Sequence, residues 1–185
     1  MRRIHPAQTF EFIENDIREA AEFADQNRAA NGYPDAIRKI VAPKATFRDL
    51  KLTSEVVEQA FSGLLPRIDS FTIGELENAP FSQKGYHNPF YRHEDRPLAF
   101  GFGNELYVKC ETDDGVVFAI WYDVVGANSD QLTKFAGALI NLNRAVPICI
   151  ADYWSYAAGL VSDPIFFDDY VAFLDEQNDG GSEVT

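Results

Sequence analysis

Only two cysteines occur in the 185 residues, Cys110 and Cys149, too few and too far apart for a secreted disulfide framework. Each lies within an apolar run, and both read as buried free thiols in a reducing compartment. No stretch approaches the roughly 18 consecutive apolar residues of a membrane-spanning helix. The basic start MRRIHPAQTF is followed by Glu11, not by an apolar segment of signal-peptide length. These absences lead to the expectation of a cytoplasmic chain with no membrane partner. A chain this long buries roughly 70% of its unfolded surface, so a single domain over residues 1–185 needs no metal or disulfide support.

Basic residues are also scarce, and unevenly so. The formal net charge is −13, and residues 151–185 contribute −8 of it, with eight carboxylates and no Lys or Arg. A polyanion such as nucleic acid would be repelled, so no direct nucleic-acid contact is expected. A basic protein would instead be steered towards the C-terminal region. An acidic surface that serves solubility alone accounts for the same composition.

The catalytic signatures that sequence can carry are missing. There is no GxSxG elbow, and neither cysteine neighbours a histidine in sequence. GFGNE at 101–105 lacks the third glycine and the following helix of a dinucleotide fingerprint, and reads as a tight strand connection. His87 and His93, beside Glu94 and Asp95, lack the spacing of a recognisable zinc site and read as part of a solvated loop. No metal and no cofactor is expected. The acidic pair at Asp113 and Asp114 belongs to a turn, and the pair at Asp168 and Asp169 to the opening of a helix.

What is present is a clear alternation of structural signals. Phe10, Ile13, Ile17 and Ala24 follow helical spacing from Ala7 to Asn31, where Gly32 and Pro34 supply a stop. A short helix is predicted over 35–41, and another from Ser54, as its cap, to Pro66, so residues from about 7 to 66 form a helical N-terminal segment. Strands are predicted near 98–103, 105–112, 116–124 and 146–151. Leu106, Val108 and Cys110 alternate with Tyr107, Lys109 and Glu111 in the manner of a half-buried strand, and Asp114-Gly115 is a hairpin turn. The apolar run Val116–Tyr122 reads as a strand covered on both faces. Asn128 and Gln131 form a capping box for a helix with Leu132, Phe135, Leu139 and Leu142 inside. Asp163-Pro164 opens a terminal amphipathic helix, followed by a frayed tail from about 178 to 185. The fold class is α+β, an antiparallel-rich central sheet packed against several helices.

ADYWSYAAG, residues 151–159, gathers Tyr153, Trp154 and Tyr156 around Asp152. Aromatics flanked by carboxylates suit a protein-binding hot spot, and the same rings suit a core with satisfied hydroxyls. As partner-binding candidates, the three aromatics supply anchors, and Asp152, Asp163, Asp168 and Asp169 supply a charged rim.

PLAFGFGNELYVKCETDDGVVFAIWYD (residues 97–123) and IFFDDYVAFL (165–174) stand in the order of an apolar strand, a Gly-rich turn, a strand pair and a late aromatic helix. In this the chain resembles the SMI1/KNR4 (SUKH) superfamily, which includes many bacterial immunity proteins. The resemblance implies a mixed α+β domain that binds and occludes a toxin without catalysis. Together these readings make the chain an acidic binding protein of the immunity type, with a protein partner such as a basic toxin. The alternatives are an enzyme with a spatially assembled site that uses His87 or His93, and a DNA-mimicking inhibitor with a long stripe of surface acids.

Overall fold

A computed structural model describes residues 2–32, 43, 45–73 and 92–179. In chain order its elements are β1 (Arg2–Pro6), a 3-10 turn (Ala7–Thr9), α1 (Phe10–Asn31), α2 (Ser54–Phe61), β2 (Ser70–Ile73), β3 (Arg92–Asp95), β4 (Leu98–Gly101), β5 (Leu106–Asp113), β6 (Val116–Val124), α3 (Ser129–Ala145), β7 (Ile148–Asp152), β8 (Ala157–Leu160) and α4 (Pro164–Asp179). Six strands form one sheet in the order β4-β5-β6-β1-β7-β8, every neighbour antiparallel. This is the α+β class with a central antiparallel sheet that the sequence predicts. The helix predicted over 35–41, His87 and the tail beyond Asp179 lie outside the described residues, although α4 continues through 178 and 179.

The N-terminus departs most from the sequence reading. RRIHP is a strand, inserted between β6 and β7 near the middle of the sheet, so the helical segment that follows begins from a central position. Ile4 lies opposite both Ile120 and Ile150, and all three are buried. Arg2 lies opposite Tyr122 on one side and Asp152 on the other. Five residues that include two arginines, a histidine and a proline carry no apolar alternation, so their pairing is visible only in three dimensions.

One face of the sheet carries the main core, where Ile4, Val108, Ile120, Tyr122 and Ile150 meet Phe61 of α2, Phe135 and Leu139 of α3, and Phe167 and Leu174 of α4. On the other face α1 lies over β7 and β8, and its Ile13 and Ile17 pack on Ala151. Cover on both faces explains why all five residues of ICIAD are buried. The β2–β3 hairpin covers the corresponding face of β5 and β6: Phe71 meets Tyr107 and Trp121 edge-on at 5.0 and 5.6 Å. Lys109 lies beneath it and is 2% exposed, ion-paired at 2.9 Å with both Glu94 and Glu111. Alternation along β5 places Lys109 on the outer face, and the hairpin buries that face.

Local chemistry sets the connections. Asp114 and Gly115 both take positive φ, 48° and 75°, the geometry of a two-residue hairpin turn that matches strand twist. Between Glu111/Ala119 and Thr112/Val117 the register skips Phe118, which bulges out and is 40% exposed, so β6 is not covered on both faces throughout. At Gly101 a Cβ would lie 2.1 Å from the Leu106 carbonyl oxygen, which is why glycine stands at the β4–β5 connection. Asn128 and Gln131 form the reciprocal capping box of α3. The N-cap of α2 is Thr53, not Ser54, whose hydroxyl and N–H both donate to the Gly115 carbonyl and tie the helix to the hairpin turn.

Candidate protein-binding surface

Asp152 ends β7, and four residues, Tyr153 to Tyr156, return the chain to β8. The Asp152 side chain organises this turn. Its Oδ1 accepts from the backbone N–H of Trp154 (2.8 Å) and of Ser155 (3.3 Å), an Asx-type turn. Its Oδ2 accepts from Arg2 Nε (3.0 Å) and from the Tyr170 hydroxyl of α4 (2.9 Å). Because the Tyr170 proton is committed to Asp152, the Tyr122 hydroxyl donates the 2.7 Å bond between the two tyrosines. Arg2 Nη1 donates in addition to Asp123 Oδ1 (2.9 Å) and to the Val124 carbonyl (3.1 Å). Burial pushes the Asp152 carboxyl up, yet the Arg2 charge and hydrogen bond, helped by Trp154 N–H and Ser155, outweigh it and hold the carboxyl below its ordinary range. Burial likewise raises both tyrosine hydroxyls, which stay protonated.

Asp152 is therefore 0% exposed and cannot serve as a rim carboxylate, contrary to the sequence expectation. Its charge is consumed by an arginine 150 residues away, and its work is to fix the turn. Tyr153 turns inward, half-buried against Ile13 and Ile17, and its hydroxyl donates to Asp16 (2.7 Å). Trp154 and Tyr156 turn outward, 69% and 40% exposed. Tyr156 has a φ of 55°, a region that bulky residues enter rarely and that a rigid surrounding must impose. So the aromatic trio divides, one ring packed and two presented.

The acids of α4 divide as well. Asp163 is exposed, but its Oδ1 accepts from the N–H of Ile165 (3.1 Å) and Phe166 (3.4 Å) and so caps the helix, with Pro164 at the first position. Asp168 and Asp169 fall in the second turn, one turn later than the sequence reading placed them. With Ile165, Ala172 and Glu176 they form one exposed helix face, opposite buried Phe167, Tyr170 and Leu174. Asp168 to Glu176 spans about 12 Å at helical rise, a short acidic stripe and not a long track of phosphate-like charge. Neither the turn nor α4 contains a Lys or Arg.

Two grooves flank this stripe. One, of about 270 Å³, lies between α4 and the β7–β8 turn and is lined by Ser155, Ala157, Phe166, Asp169, Tyr170 and Phe173. Phe166 and Tyr170 lie nearly parallel there, at 5.8 Å, and Phe166 also rests on Gly159, whose lack of a side chain admits the ring. The other, of about 300 Å³, runs between α3 and α4 over Leu132, Ala136, Ile140 and Val171. The grooves are not legible in sequence, because residues from three separate elements form them.

Chemistry of the catalytic kind has little footing among the described residues. Of His93 only the backbone is described, in β3. His5, which the sequence reading passed over, lies opposite Cys149. Burial, with Arg3 adding to it, pushes the imidazole down to about 4, while Asp16 acts weakly the other way. Its Nε2 has no hydrogen-bond partner among the described residues. The Cys149 thiol donates to the Pro6 carbonyl (3.7 Å), and burial pushes it up to about 12, as burial does Cys110. A neutral imidazole beside a protonated thiol is not an activated nucleophile. Among the described residues no group of three or more His, Cys, Asp or Glu is placed to hold a metal, and no helix is long and apolar enough to cross a membrane. Comparison with models of protein families, with curated proteins and with solved structures finds no match to this chain.

Proposed function

We propose that the chain is an acidic, non-catalytic binding protein of the immunity type, which occludes a basic protein such as a toxin with the face formed by α4 and the β7–β8 turn. The observation that carries this reading is Trp154, 69% exposed on a turn that Asp152 holds from beneath. A large ring on a rigid support contributes contact area with little entropy to lose on binding, as hot-spot residues do. Beside it, Asp168, Asp169 and Glu176 face solvent on a helix without a single cation, which draws a basic partner from a distance. The SMI1/KNR4 likeness implies the same role.

The test is affinity capture from an extract of the source cells with the wild-type chain and with Trp154→Ala. The wild type is expected to retain a basic protein that the variant binds at least about 30-fold more weakly, as for a hot-spot residue. Co-expression with the wild type, but not with the variant, is expected to suppress that partner's toxicity. Equal capture by the two chains contradicts the assignment of the face.

A further inference from the structure

The groove between α4 and the β7–β8 turn combines three aromatic rings with one carboxylate that has no ion-pair partner among the described residues, and we propose that it receives a single arginine side chain of the partner. This deepens the reading above and rests on it for the identity of the face. Phe166, Tyr170 and Phe173 follow one another at i, i+4 and i+7 along α4, and form a wall of rings. Ala157 keeps the floor low, and Asp169 stands at the edge with no ion-pair partner among the described residues. At about 270 Å³ the groove is smaller than the roughly 300–1,000 Å³ of ordinary small-molecule pockets, and suits one long side chain.

The lining selects the charge and shape of that side chain. An aliphatic group would cover the rings but strip water from Asp169 without replacing it. A lysine would satisfy Asp169, yet its ammonium is compact and strongly hydrated. A guanidinium is flat and weakly hydrated, stacks on ring faces, and donates in a fork to a carboxylate. The absence of Lys and Arg from residues 151–185 leaves no neighbouring cation on α4 to compete for Asp169.

The experiment titrates the full-length 15N-labelled chain with N-acetyl-argininamide and, separately, with its uncharged isostere N-acetyl-citrullinamide. The arginine compound is expected to shift the amide signals of Ser155, Ala157, Asp169 and Phe173 saturably, with a Kd on the order of 1 mM, the range for so small a ligand. The citrulline compound is expected to bind about five-fold more weakly or worse. Asp169→Asn, an exposed change that leaves the core intact, and Phe173→Leu, which keeps bulk but removes the ring, should each abolish the difference between the two compounds. Equal binding of the two compounds, or shifts scattered over the surface, overturns the arginine site. If Trp154→Ala removes the partner while Asp169→Asn and Phe173→Leu do not, the face binds without this groove, and the arginine site is again overturned. If the groove discriminates arginine but partner capture ignores Trp154, the arginine site holds and the wider functional reading falls.

Discussion

Replacing Asp152 by Asn keeps the shape of the side chain and removes its charge. The carboxylate is 0% exposed and accepts four hydrogen bonds, from Arg2, Tyr170, Trp154 and Ser155. An asparagine can still accept from the turn N–H groups, but its amide then points a donor at Arg2 Nε, which can only donate, and another at the Tyr170 hydroxyl, which must turn its own proton towards Tyr122 to accept it. Arg2, 7% exposed, is left with Asp123 as its only carboxylate among the described residues. Breaking a buried ion pair from one side costs about 3–5 kcal/mol, and because Asp123 remains, the lower end, about 3 kcal/mol, is expected. For a chain of this size that corresponds to a fall in Tm of about 6–12 °C. Urea unfolding followed by circular dichroism at pH 7 measures it. The double variant Arg2→Met/Asp152→Asn, which removes both charges together and keeps an acceptor for the turn N–H groups, is expected to lose less than Asp152→Asn alone. Because Asp152 titrates below its ordinary range when folded, its contribution is complete above the unfolded carboxylate pKa and is lost only as pH falls through the depressed native value. A loss below about 1 kcal/mol for Asp152→Asn, the scale of an ordinary hydrogen bond, would refute the hub role.

Two further outcomes follow from buried or crowded groups. His5 titrates near 4 when folded against 6.5 when unfolded, so the unfolded chain binds the extra proton and stability falls as pH drops from about 6.5 towards 4. Between pH 7.5 and pH 5 the wild type should lose about 2 kcal/mol that His5→Gln does not, measured by urea unfolding at each pH; parallel pH profiles would contradict it. Gly159→Ala would place a methyl group 2.2 Å from the Phe166 ring, and the ring cannot stay where it is. A loss of about 1–3 kcal/mol is expected, with altered arginine binding in the neighbouring groove, and a variant of unchanged stability would show that the ring contact is loose.

The parts of the fold legible in sequence are those whose signals are local. β5 and β6 are read from the alternation of Leu106, Val108 and Cys110 and from Asp114-Gly115, and α3 from a capping box whose two members lie three residues apart. The start of α4 follows from Asp163-Pro164. β1 and β8 escape because their strand character comes from partners. Arg2–Pro6 pairs with strands more than 110 residues later, and Ala157–Leu160 is four small or aliphatic residues with no alternation of their own. The same distinction governs the candidate site. The cation-free C-terminal stretch and the aromatic cluster stand out in the sequence, whereas the role of Asp152 depends on Arg2 at the far end of the chain. Whether Tyr153 or Trp154 points inward depends on α1 lying over that edge of the sheet, which no local pattern records.

The claim that the acidic face recruits a basic partner is tested most directly by the rate at which the captured partner associates with the chain as salt is varied. For the wild type the association rate constant is expected to fall at least about ten-fold between roughly 20 and 300 mM salt. For Asp168→Asn/Asp169→Asn/Glu176→Gln it should start lower and change little. Identical salt profiles for the two chains would contradict the account.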